Sequence, residues 1–232
     1  MKEKRLSKSA GGSQKMEATL APHQKEVSNF LRSNDISIVI GMAGCAKDFV
    51  QLYRAVDALL NKEIEGIVIT KPIVEVGKSI GFLPGEAGEK TAPYEASFYE
   101  NLEKLVGKQT AASLKPKITF EHVGFVRGKT FKEHNMVIIS EIQNFTLHEL
   151  ITYVTRLPES SKLFMNGDPD QIDIKNSGIF DFLKIMDGLD GVGIMTLDPD
   201  VHQMRRKLIV DIMKRYKKFK DDKGKIRPDK DE

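Results

Sequence analysis

The chain is poor in the residues that build disulfide scaffolds, metal fingers and membrane spans. Its single cysteine, Cys45, excludes an internal disulfide and fits a reducing compartment. The five histidines (His23, His122, His134, His148 and His202) have no metal-ligand spacing with that cysteine. No apolar run approaches the roughly 20 residues that cross a bilayer. The basic start, Met1-Lys2-Glu3-Lys4-Arg5, is followed by no apolar core, so neither a secretion signal nor membrane association is expected, and the location expected is cytoplasmic. There is no Gly-x-Ser-x-Gly turn for a serine hydrolase and no tryptophan. The net charge of +3 is too small to argue nucleic-acid binding by itself, although basic residues gather at both ends, such as Lys214, Arg215, Lys217, Lys218 and Lys220.

What is present suits one α/β domain: 232 residues, 40% hydrophobic and 30% charged. Residues 1–18 are polar and basic and read as disordered, and residues 218–232 read as a charged flexible tail, leaving a domain over 19–217. Near-continuous apolar runs at 36–40, 66–70, 136–139, 162–165 and 192–197 read as strands buried on both faces. Shorter strands are expected at 118–120 and 123–126. Helical spacing of apolar residues marks 23–33, 47–61, 95–106, 109–115, 146–156, 178–187 and 202–217. Strands alternating with helices predict a mostly parallel sheet covered on both faces, a three-layer αβα sandwich. Ligands of such sheets bind outside the carboxyl ends of the strands, where Gly41, Thr70, Ser140 and Gly167 fall.

The first strand empties into Gly41-Met42-Ala43-Gly44-Cys45-Ala46-Lys47-Asp48. A strand, a tight glycine loop and a lysine opening a helix make a phosphate cradle: backbone N–H groups point inward and the helix N-terminus adds partial positive charge. The fit to G-x-x-x-x-G-K-[ST] fails at two places. Ala46 replaces the second glycine, and if its slot is left-handed the side chain costs roughly 1–2 kcal/mol. Asp48 replaces the metal-binding hydroxyl. Cys45, at a helix N-terminus, is either an activated thiol or a small filler.

Six further segments join the loop in one resemblance. They are Ile69-Thr70-Lys71-Pro72; Gly81-Phe82-Leu83-Pro84-Gly85 with Lys90 and Pro93-Tyr94; Phe125-Val126-Arg127-Gly128-Lys129-Thr130; Ser140-Glu141-Ile142-Gln143-Asn144; Thr155-Arg156; and Gly167-Asp168-Pro169-Asp170-Gln171-Ile172-Asp173. Together they resemble the PhoH-like P-loop ATPases, which share a RecA/helicase-like core with superfamily 1 helicases. The resemblance implies ATP and Mg²⁺ as cofactors, ATP hydrolysis, a homo-oligomeric ring (a hexamer), and action on RNA or single-stranded nucleic acid. A compact phage-encoded member, acting in the host cytoplasm, suits the chain.

The resemblance implies the following roles. Gly41, Met42, Ala43, Gly44, Cys45, Ala46, Lys47 and Asp48 hold the phosphates, and Gln24 reads the adenine, unless it is an ordinary helix residue. Glu141 is the general base or water-orienting group, against the plain alternative of a strand-end carboxylate in an ion pair. Gln143 and Gln171 sense the terminal phosphate, unless they are ordinary loop polar groups. Arg127 and Arg156 are the favoured charge-neutralising arginines, acting from a neighbouring subunit, with Arg205 and Arg206 less favoured. Asp168 holds a water or an arginine. In related ATPases a hydroxyl after the lysine and an aspartate after the third strand flank the metal. Asp48 and Ser140 present the same two chemical types exchanged. Three readings stand: a compensated exchange that keeps the metal site, two losses that disable it, or Asp48 as a mere helix N-terminal acid.

Overall fold

The computed structural model describes residues 16, 18–72, 87–121 and 130–226. The elements in order are α1 (Pro22–Ser33), β1 (Ile36–Gly41), α2 (Lys47–Leu60), β2 (Gly66–Thr70), α3 (Ala87–Leu114), β3 (Ile118–Glu121), β4 (Asn135–Ile139), α4 (Leu147–Val154), β5 (Lys162–Gly167), α5 (Ile179–Met186), β6 (Val192–Leu197), α6 (Pro199–His202) and α7 (Lys207–Ile226). Local chemistry explains the boundaries. Pro22 opens α1, where its missing N–H costs nothing. Thr146 and Glu149 form a reciprocal capping box that starts α4. Gly107, at φ 74°, breaks α3 where the sequence reads as two helices.

The six strands form one sheet in the order β3-β2-β4-β5-β1-β6, and every pairing is parallel. Side chains alternate across it. Val39, Ile67, Ile69, Met136, Ile138 and Phe164 pack toward α1, α2 and α3. Ile38, Ile40, Val68, Val137, Ile139, Leu163 and Met165 pack toward α4 and α5. The result is the expected αβα sandwich. The order matters for function because it places β4, β5 and β1 side by side. Their carboxyl ends bring Ser140, Gly167 and the loop after Gly41 to one edge.

Three expectations are modified. The last helix starts at Lys207 rather than 202, since Gln203 and Met204 bond to the loop after β1. It runs to Ile226 through the stretch expected as a loose tail, with Lys217 and Lys220 anchored on Asp170. Met16 and Ala18 pack on the core, and the Ala18 N–H donates to the Leu105 carbonyl at 3.2 Å. The segment 81–85, the strand at 123–126 and Arg127 lie outside the described residues.

The sandwich also depends on a close crossing. The Gly178 N–H donates to the Phe145 carbonyl at 2.8 Å, and a methyl on Gly178 would overlap the backbone of Leu147 at the start of α4. Gly178→Ala should therefore destabilise the fold by about 1–3 kcal/mol, read as a lower midpoint in equilibrium urea unfolding.

Candidate functional site

The loop after β1 turns through left-handed backbone. Gly44 sits at φ 96° and Ala46 at φ 55°, ψ 28°, immediately before Lys47 opens α2. The slot of Ala46 is thus the strained one that the sequence raised as a question. The first N–H groups of an α-helix such as α2 have no acceptor within the helix, which leaves them available to an anion. The Lys47 Nζ folds back to donate to the carbonyls of Gly41 (2.6 Å) and Met42 (3.2 Å).

Asp48 and Ser140 meet. The Ser140 hydroxyl donates to Asp48 Oδ1 at 2.5 Å, and the Asn166 amide donates to the same oxygen at 2.8 Å. A hydroxyl just after β4 and a carboxylate on α2 therefore share one spot, as the exchange reading requires. An oxygen pair of this kind suits Mg²⁺, which is usually held by one or two protein oxygens together with phosphate and water. Among the described residues no group of three or more His, Cys, Asp or Glu forms a metal cage, so a cation here would lean on phosphate oxygens.

A second network ties the loop to β5. Asp168, buried at the end of β5, accepts from the Ala43 N–H (2.9 Å) and from Gln171 Nε2 (2.6 Å) through Oδ2. Asp168 thereby pins the loop after β1. Buried Gln143 links onward, its Oε1 accepting from the Asp168 N–H (3.0 Å) and its Nε2 donating to Glu141 Oε2 (2.7 Å). Glu141 follows Ser140 in left-handed conformation, φ 60°.

The remaining site residues divide. Gln24 is buried, and its Oε1 accepts from the Ala21 N–H at 2.9 Å, so its carbonyl caps α1. The start of α1 nevertheless adjoins the loop region: His23 Nε2 and Met204 Sδ are 3.3 Å apart, and the Met204 N–H donates to the Gly44 carbonyl at 3.0 Å. Arg156 stands at the opposite edge of the sheet, where its carbonyl accepts from the N–H of Phe131 ahead of β4. Arg205, not favoured from sequence, lies against the loop: a methyl on Gly44 would sit 2.8 Å from its Cδ and Nε. It lines, with Met42, Ala43, Asp168, Gln171 and Tyr216, a cavity of about 510 Å³. The signal for it was two adjacent arginines shortly after β6, weak without the fold.

Cys45 is buried, and burial pushes its thiol up despite the nearby Lys47 and Arg205. This is the small filler, not an activated nucleophile.

The pattern that defines the PhoH-like proteins matches residues 18–217. The chain belongs to the PhoH family. It is 33% identical over 223 residues to a PhoH-like protein of Bacillus subtilis, covering 94% of this chain and 69% of the relative. It is 33% identical over 172 residues to the PhoH protein of Escherichia coli, covering 71% of this chain and 48% of that one. The chain thus spans from about half to about two thirds of the length of these relatives. Among solved structures, the large terminase from a thermophilic bacteriophage matches 86% of this chain and 50% of its own, at a TM-score of 0.47 and 11% identity. PhoH membership and the loop together mark a nucleotide-binding protein. No described helix is long and apolar enough to cross a membrane.

Two outcomes follow from the loop's geometry. Ala46→Gly should stabilise the fold by about 1 kcal/mol by relieving the left-handed strain, raising Tm by roughly 2–4 °C in a thermal melt. Cys45 should react with a disulfide reagent at pH 8 only as fast as the protein opens, so labelling should accelerate sharply in denaturant.

Proposed function

We propose that this PhoH protein is a Mg²⁺-dependent ATPase whose metal site uses the exchanged pair Asp48 and Ser140. The observation that carries the reading is the 2.5 Å contact between those two side chains beside Lys47. Lys47 would release its loop carbonyls and turn to the terminal phosphates. Asp48 and Ser140 would hold Mg²⁺, which supplies charge neutralisation on the phosphates when bound. Glu141, oriented by Gln143, would place and deprotonate the attacking water. Gln171, through Asp168, would register the terminal phosphate on the loop itself. Arg205 would supply a cation from within the chain, and Arg156, whose carbonyl bonds to the segment ahead of β4, would act on the nucleotide of a neighbouring subunit in a ring.

Coupling to RNA or single-stranded nucleic acid belongs to the same proposal. It is supported by the basic residues of α7, among them the exposed Arg215 and Lys218 beside the loop-facing Lys217 and Lys220.

A second reading, a subunit that holds ATP without cleaving it, is favoured by one observation: Lys47 Nζ and Asp48 Oδ1 are already hydrogen-bonded within the chain. Two experiments separate the readings. Glu141→Gln should abolish phosphate release yet retain ATP binding; a wild type that binds Mg·ATP without turnover would favour the second reading. Asp48→Thr and Ser140→Asp should each weaken Mg·ATP binding by about tenfold or more in calorimetric titration, and the double variant should recover most of that loss. Losses that simply add would contradict the exchange.

A further inference from the structure

Resting on the reading of Asp48 as the metal-side carboxylate, we propose that Asn166, locked by Gln51, is the positioning residue that aims Asp48 at the cation. Asn166 occupies the next-to-last position of β5 and is 1% exposed. Its Nδ2 donates to Asp48 Oδ1 at 2.8 Å and to Gln51 Oε1 at 2.6 Å. Gln51 is fully buried on α2, one turn beyond Asp48, and its own Nε2 donates to the Met165 carbonyl at 2.9 Å.

The chain of bonds has a single consistent orientation. The Met165 carbonyl can only accept, so it draws the Gln51 NH₂ and turns Gln51 Oε1 toward Asn166. That oxygen and the Asp48 carboxylate both accept, so Asn166 must present its NH₂ to both. Asp48 Oδ1 thereby receives two neutral donors, Asn166 and Ser140. Among the described residues Oδ2 has no hydrogen-bond partner. A carboxylate held by an amide and a hydroxyl keeps its full negative charge, whereas a lysine or arginine in Asn166's place would cancel it. The arrangement fixes the carboxylate's direction while preserving the charge a divalent cation needs.

The test is the Mg²⁺ dependence of ADP binding by the full chain, measured calorimetrically in EDTA and in a Mg²⁺ series. Wild type should bind ADP more tightly with Mg²⁺. Asn166→Ala should lose about tenfold of that Mg²⁺-dependent gain while its affinity in EDTA stays within twofold, and Asn166→Thr, which restores a donor, should recover part of it. Gln51→Leu should act in the same direction with a smaller loss, which keeps the proposal testable if Asn166→Ala does not fold. A folded Asn166→Ala or Gln51→Leu that retains the full Mg²⁺ gain, or affinities that fall equally with and without Mg²⁺, would overturn the positioning role. A wild type that binds no ADP under either condition would instead overturn the nucleotide reading beneath it.

Discussion

The hydrogen bond from Ser140 to Asp48 joins the end of β4 to the first turn of α2, across the end of β5. It exists only because the parallel order places β4, β5 and β1 together, so that polar residues following three separate apolar runs emerge at one edge. Its contacts are largely buried: Ser140 is 6% exposed, Asn166 1% and Gln51 0%. Buried polar groups must find partners, and these satisfy one another. Removal of Asn166 or Gln51 would leave the other amide buried without its partner, which costs more than the bond itself is worth. The polar cluster is therefore both a fixture of the fold and the floor of the candidate site.

Backbone strain collects at the same edge. Among the described residues, the non-glycine positions with positive φ are Ala46, Lys62, His134 and Glu141. Lys62 follows α2 and His134 precedes β4, in turns on the way into strands. Ala46 and Glu141 instead flank the polar cluster, one at the loop and one beside Ser140. Each such residue costs on the order of 1–3 kcal/mol and persists where the surroundings over-determine it. At 141 the strain turns the carboxylate to Gln143, which is held in turn by Asp168. Asp168 also grips Ala43. One line of hydrogen bonds thus joins the candidate base, Gln143, Gln171 and the loop after β1, so nucleotide at the loop and water at Glu141 would be felt by the same groups.

The strands were legible because β-branched runs buried on both faces admit few other readings, and the phosphate loop because glycines and a lysine at that spacing have few other uses. The meeting of Asp48 and Ser140 was legible as chemistry before it was visible as geometry. The amides were not. Gln51 reads as an ordinary helix residue, and Asn166 as the polar end of a strand; only burial shows that both must be paired. For Gln24 the sequence leaves two readings open, a base reader and a helix residue, and its carbonyl caps its own helix. Arg205 was obscured because its approach to Gly44 depends on Gln203 and Met204 bonding to the loop, a long-range contact with no local signature. The last helix outran its expected end because lysines are good helix formers and two of them find Asp170.

The most direct measurement is a crystal structure of the chain with Mg²⁺ and a non-hydrolysable ATP analogue. The account predicts phosphates inside residues 41–48, Lys47 released from the carbonyls of Gly41 and Met42, and Mg²⁺ within coordination distance of Asp48 Oδ2 and Ser140 Oγ. Phosphates bound elsewhere, or a cation at the phosphates that touches neither Asp48 nor Ser140, would contradict it.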